Sequence, residues 1–196
     1  PDQFQDHILG SAAIREYPQA FERQVADRLL GRLLAEIPWQ QDSIRIAGRL
    51  IAVPRLQCWM GDASSRYGYS GIRLQPVGWQ ETVLFIRHRV QDLVAMEFNS
   101  VLLNYYRNGQ DSVAWHADDE KELGPDPLIA SVSLGAERPF QLKSKMPGSY
   151  SNYRLLLQSG SILLMGKGMQ INWLHQLPKG KNMSQPRINL TFRNIM

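Results

Sequence analysis

Seven residues near the C-terminus, Arg187-Ile188-Asn189-Leu190-Thr191-Phe192-Arg193, alternate polar and apolar without a break. Successive side chains of a strand point to opposite faces, so Arg187, Asn189, Thr191 and Arg193 share one face and the apolar three share the other. Two guanidiniums on one strand face repel unless something anionic lies between them, and the guanidinium fork matches a carboxylate bidentately. The strand therefore predicts half of a dicarboxylate site. A second constellation is Trp115-His116-Ala117-Asp118, whose i, i+2 spacing sets an imidazole and a carboxylate on one face of an extended segment. His175, within Asn172-Trp173-Leu174-His175-Gln176, supplies another imidazole. Two histidines and one carboxylate, with positions left open, form the facial triad that suits a non-haem Fe(II) centre. His-x-Asp alone is a weak pattern. The strand of paired arginines that follows gives it weight.

A framework must bring these distant groups together. From Pro18 to Ile37 apolar residues recur at Phe21, Val25, Leu29, Leu33 and Ile37, which predicts a helix closed by Pro38. A second helix is expected over Trp79–Ala95, with Val83, Ile86, Val90, Leu93 and Val94 inward. Residues 44–75 read as short strands and loops over an opening. After Glu97, short β-like runs are punctuated by Asn108-Gly109, Gly124-Pro125, Gly135, Pro147-Gly148, Ser159-Gly160 and Gly166-Lys167-Gly168. The prediction is a mostly β jelly-roll sandwich with two flanking helices buttressing one sheet.

These segments stand in a recurring order with Val53-Pro54-Arg55, Tyr67-Gly68-Tyr69-Ser70-Gly71, Asn104-Tyr105-Tyr106-Arg107-Asn108 and His116-Ala117-Asp118-Asp119-Glu120. Ile129-Ala130-Ser131-Val132-Ser133-Leu134-Gly135 and the run from Pro186 to Arg193 complete the set. Over most of its length the chain resembles the AlkB-type Fe(II)/2-oxoglutarate-dependent dioxygenases, which repair alkylated nucleic-acid bases. The resemblance is strongest to the animal homologues that act on DNA. It implies a double-stranded β-helix core, Fe(II) held by His116, Asp118 and His175, and 2-oxoglutarate and O2 as cosubstrates. It further implies that Arg187 takes the distal carboxylate of 2-oxoglutarate and Arg193 lies nearer the metal, with Asn104, Tyr106, Asn189 and Thr191 completing the cosubstrate site. Tyr67 and Tyr69 match a loop that covers a flipped-out base, Glu120 matches a carboxylate near its pocket, and Arg55 is grouped with them as a substrate contact.

The activity implied is oxidative demethylation of bases such as 1-methyladenine and 3-methylcytosine, with decarboxylation of 2-oxoglutarate and release of formaldehyde. One departure bears on substrate. The double-strand-acting relatives carry a bulky aromatic wedge in the hairpin that matches Ile44-Arg45-Ile46-Ala47-Gly48-Arg49, and the wedge position here is Ala47. A methyl group cannot fill the space an extruded base leaves, so single-stranded or unpaired nucleic acid is the expected substrate, DNA first and RNA left open as a second partner. A 2-oxoglutarate oxygenase of a protein or small molecule would share the triad but leave the 67–71 loop unexplained. A catalytically silent nucleic-acid binder would leave the inward charge cluster unexplained.

Composition is consistent with this reading. A length of 196 residues suits one domain. The expected division is a helical segment over 1–43, a nucleotide-recognition lid over 44–77, a supporting helix over 78–97 and the jelly-roll core over 98–196. Cys58 is the single cysteine, so no intrachain disulfide forms, and a reducing cytoplasmic or nuclear location is expected. Its bland reading is a small buried hydrophobe. No apolar run is long enough to span a membrane, and a monomer is expected. All 18 acids lie at or before Glu137, whereas nine Lys and Arg fall in 138–196. Lys143, Lys145, Arg154, Lys167, Lys179 and Lys181 sit near turn signals, where loops could grip phosphates of a nucleic acid.

Overall fold

The computed structural model describes residues 3–62, 67–69, 72–74, 76–148 and 152–196, with backbone only at 67–69 and 72–74. The chain opens on strands rather than on a helix. β1 (Gln5–Leu9) and β2 (Ala12–Tyr17) pair antiparallel, and β2 continues into the main sheet. The helical segment expected over 1–43 is corrected accordingly: only α1 (Arg23–Glu36) is helical there. One of the two inward positions of β1 is His7 rather than an apolar residue, and that hides the alternation. Phe21, expected on the helix, lies in the turn before it, where its N–H donates to the Gly160 carbonyl at 3.0 Å. Ala26, Leu29 and Leu33 form the buried stripe of α1, and extended backbone at Ile37 ends it before Pro38.

β3 (Ser43–Ile46) and β4 (Arg49–Ala52) make an isolated hairpin. Ala47 and Gly48 at its tip have φ of 47° and 79°, the left-handed pair that a two-residue hairpin turn requires. β5 (Leu56–Gly61) follows, then the short pair β6 (Tyr67–Tyr69) and β7 (Ile72–Leu74). Helix α2 (Glu81–Val94) is capped by Gln80, whose Oε1 accepts from the Val83 N–H at 3.2 Å. It ends where Ala95 turns left-handed. The remaining elements are β8 (Ser100–Tyr106), β9 (Val113–His116), β10 (Ile129–Gly135), β11 (Arg138–Ser144), β12 (Asn152–Leu157), β13 (Ser161–Met165), α3 (Met169–Asn172), β14 (Trp173–Leu177) and β15 (Arg187–Arg193).

A seven-stranded major sheet runs β1-β2-β13-β10-β15-β8-β5, and a four-stranded minor sheet runs β12-β11-β14-β9, all neighbours antiparallel. Together they form the double-stranded β-helix. Because β1, β2 and β5 belong to the major sheet, the jelly roll is not confined to 98–196.

Two cores flank the major sheet. Leu33, Val83, Ile86 and Val90 of the helices pack on Leu103, Val132, Ile188, Leu190 and Phe192. Between the sheets lie Ile14, Ile129, Phe140, Leu142, Leu157 and Met165. β15 is therefore enclosed on both sides: Ile188, Leu190 and Phe192 face the helices, while Arg187, Asn189 and Arg193 on the opposite face are also buried. A polar strand face turned into the space between two sheets must serve a cavity. His7 ties the sheet edges together, its Nδ1 2.6 Å from the Tyr153 hydroxyl and its Nε2 3.1 Å from Glu16.

Candidate metal and cosubstrate site

The triad assembles where β9 pairs with β14. His116 stands directly opposite His175 across the ladder, with ring centroids 4.2 Å apart. Asp118 follows two residues on, its carboxylate 3.8 Å from His116 Nε2 and 3.7 Å from His175 Nε2. One ligand atom from each of the three lies within 4.8 Å of the others, close enough for one ion to meet all three. The Ala114 carbonyl accepts from His116 Nδ1 at 2.8 Å, which orients the ring with Nε2 toward Asp118. Gln170, on α3, accepts from the Asp118 backbone N–H through Oε1 at 2.9 Å and so fixes that residue.

Electrostatics favour the ligating forms of His175 and Asp118. Burial, reinforced by the facing His116, pushes the His175 imidazole down to about 3 despite Asp118 nearby. Burial by itself would raise the Asp118 carboxyl, but Arg193 and the two imidazoles outweigh it and hold it below the ordinary range. A neutral imidazole and an ionised carboxylate are what a divalent cation needs.

The cavity beside the triad is lined by Asn104, Tyr106, Arg187, Asn189, Thr191 and Arg193, among others. Arg187 is 2% exposed. Its Nη2 donates to Ser133 Oγ at 3.0 Å, whereas Nε and Nη1 are buried without a hydrogen-bond partner among the described residues. An enclosed guanidinium with two unused donors fits an anionic ligand, and burial has pushed its pKa down to about 10. The donor set thus fits both a divalent metal and a carboxylate cosubstrate.

Comparison with known proteins agrees with this chemistry. The family described as the 2OG-Fe(II) oxygenase superfamily matches residues 13–193. Alpha-ketoglutarate-dependent dioxygenase alkB homolog 3 of Homo sapiens is 36% identical over 194 residues, spanning 95% of this chain and 67% of the relative. DNA oxidative demethylase ALKBH2 of Homo sapiens is 36% identical over 199 residues, spanning 97% and 76%. The chain is an AlkB-type 2OG-Fe(II) oxygenase. A solved structure, "The structure of OsALKBH1", superposes with a TM-score of 0.64 at 15% identity, over 98% of this chain and 100% of that one, and bears on the fold alone. As a member of this superfamily the AlkB-type oxygenase uses Fe(II), with 2-oxoglutarate and O2 as cosubstrates.

Several side chains of the oxygenase hold others in place. Asn104 Oδ1 accepts from Arg55 Nε and Gln57 Nε2, each at 3.0 Å, which leaves the Asn104 amide hydrogens for the cavity. Arg55 also donates to the Ser112 carbonyl at 3.1 Å, so it braces Asn104 at the wall of the cavity. Tyr106 is buried, and that burial raises its phenol pKa against the pull of Arg55, Arg187 and Arg138. It remains a hydroxyl donor. Asn189 Nδ2 donates to Ser131 Oγ at 2.6 Å and the Val132 carbonyl at 3.0 Å, while its Oδ1 accepts from Thr191 at 2.9 Å. Arg193 reaches Asp118 at 3.7 Å and Glu120 at 3.9 Å, which joins Glu120 to the metal end. Tyr67 and Tyr69 lie on β6, and their side chains, like residues 70–71 of the loop, lie outside the described residues.

Sequence reasoning missed Gln57, Ser131, Ser133, Arg138 and Gln170. Ser131 and Ser133 left a signal: two hydroxyls at period two inside an otherwise apolar strand. Buried Arg138 gathers the carbonyls of Asn108, Asp111 and Pro178, and Gln170 reaches the triad from a separate element; neither has a local signature. Cys58 is buried, and its thiol is pushed up to about 11, an inert core residue.

Proposed function

We infer that this oxygenase removes N-linked methyl groups from bases such as 1-methyladenine and 3-methylcytosine in single-stranded DNA, releasing formaldehyde and succinate. The observation that carries the reading is the buried triad beside a cavity with two unpartnered guanidinium donors, in a chain whose relatives are named for oxidative demethylation of DNA. His116, Asp118 and His175 would hold the iron. When bound, the metal supplies activation of O2 and oxidation of the target methyl carbon. Arg187 receives the distal carboxylate of 2-oxoglutarate, Tyr106 and Asn104 donate to the cosubstrate, and Asn189, held by Thr191 and Ser131, keeps the cavity wall in register. Arg193 stands beside Asp118 and neutralises charge at the metal end.

The alkylated base must leave its stack to reach so enclosed a centre. Tyr67 and Tyr69 would clamp it, and the Glu120 carboxylate favours the positive charge that methylation places on adenine N1 or cytosine N3. Ala47, at the tip of an isolated hairpin, offers only a methyl group to a duplex, which supports preference for single strands. No described helix is long and apolar enough to cross a membrane, and action as a monomer in the cytoplasm or nucleus belongs to the same proposal.

The test is a panel of matched single- and double-stranded oligonucleotides, methylated at one adenine or cytosine, followed by mass spectrometry and by succinate release. Demethylation faster on single strands, and abolished in His116→Ala, is expected. Turnover only with a peptide or metabolite would sink the reading, and a clear duplex preference would sink its single-strand part.

A further inference from the structure

The four strands of the minor sheet contain no Asp or Glu. Their alternation sends Phe140, Leu142, Leu155, Leu157 and His175 inward as buried residues. The opposite face carries Trp115, Lys143, Arg154, Gln141, Asn152 and Gln176, all half-buried or exposed. Helices α1 and α2 pack on the other sheet. On this outer face Lys143 Nζ stands 4.5 Å from the centroid of the Trp115 ring. Gln176 donates to Gln141 at 2.7 Å, which ties the middle strands. A shallow groove is lined by Trp115, Gln141, Asn152 and Arg154. Trp115 lies on the edge strand β9, one residue from the metal-triad residue His116.

An indole over a cation, basic side chains beyond it and strands free of carboxylates are the parts of a single-stranded nucleic-acid track. The π face accepts any base, and the cations follow the backbone. We propose that the outer face of the minor sheet binds the strand that flanks the target base. The proposal rests on the nucleic-acid reading above and extends it from the base to its neighbours. In the free protein Lys143 holds the Trp115 ring. An arriving base displaces the ammonium from the indole and leaves it within reach of that nucleotide's phosphate, while Arg154 meets the next. The chain's charge asymmetry, with every acid at or before Glu137, prepares this face for a polyanion.

The test is fluorescence anisotropy of a labelled, unmethylated single strand of about 15 nucleotides, long enough to pass beyond the cavity, titrated with the full chain at several salt concentrations. Trp115→Ala should weaken binding roughly tenfold, with Trp115→Phe retaining most of the affinity. Lys143→Gln and Arg154→Gln should each lower the slope of log affinity against log salt by about one. All four substitutions replace half-buried or exposed side chains, and unchanged melting temperatures exclude misfolding. Wild-type affinity and salt slope in Trp115→Phe, Lys143→Gln and Arg154→Gln together with Trp115→Ala would overturn the platform and leave the demethylase reading standing. A wild-type chain that binds no oligonucleotide, but binds an acidic peptide, would overturn both.

Discussion

Among single residues, Arg187 carries two opposing demands. A buried cation with unpartnered donors opposes folding, yet the same donors are what a carboxylate ligand requires. Arg187→Met should therefore raise the melting temperature of the ligand-free protein while weakening 2-oxoglutarate binding about 100-fold. Calorimetric titration and thermal melts check the two halves separately, and a parallel loss of both would refute the division. His175 makes a pH prediction. Its folded-state pKa of about 3 lies far below the ordinary 6.5, so between those values the unfolded chain binds the proton and the folded one does not. Stability of the metal-free protein falls as pH drops through that window. His175→Gln, lacking the group, should show a flatter decline in denaturant melts between pH 7 and 4.

At the level of elements, the junction of β10 and β15 sets the end of the cavity where Arg187 stands. Gly135 has φ of +91°, pairs with Arg187, and a Cβ there would stand 2.4 Å from the Pro186 carbonyl oxygen. Gly135→Ala should destabilise the fold by at least about 2 kcal/mol, seen as a melting temperature lower by roughly 5 °C. Because the strain is released through the backbone of Arg187, 2-oxoglutarate affinity should fall too; a wild-type affinity would show that the junction does not position the arginine. The same element shows what a sequence can reveal. β15 was legible because its alternation is unbroken, and both helices were legible because a stripe of Leu, Ile and Val recurs at helical spacing. β1 was not, because a histidine fills one of its inward positions and its partner in the clasp, Tyr153, lies on the far sheet.

For the whole molecule, ligand binding and folding are linked, because the triad comes from β9, the residues just beyond it and β14, while Arg187 comes from β15. An ion and a carboxylate that bind only the folded chain draw the equilibrium toward it, by about 4 kcal/mol at a thousandfold excess over Kd. Differential scanning calorimetry should show the melting temperature rising with a divalent metal and again with 2-oxoglutarate, and returning on chelation. A second rise without metal present would mean that the cosubstrate site forms independently of the triad.

The sequence by itself pointed to the chemistry: His116-x-Asp118 is weak alone, but with His175, the paired arginines of Arg187 to Arg193 and the resemblance to AlkB-type oxygenases it predicts a divalent metal and a dicarboxylate. The jelly-roll class was legible from turn punctuation and strand periodicity, both local signals. Only the tertiary structure decided that both faces of β15 are enclosed, that Gln57 and Arg55 orient Asn104, that Gln170 steadies Asp118, and that Lys143 covers Trp115 across an intervening strand. Those contacts join residues far apart along the chain. Strand pairing and sheet stacking create them, and no periodicity within one segment can encode which distant segment will lie beside it.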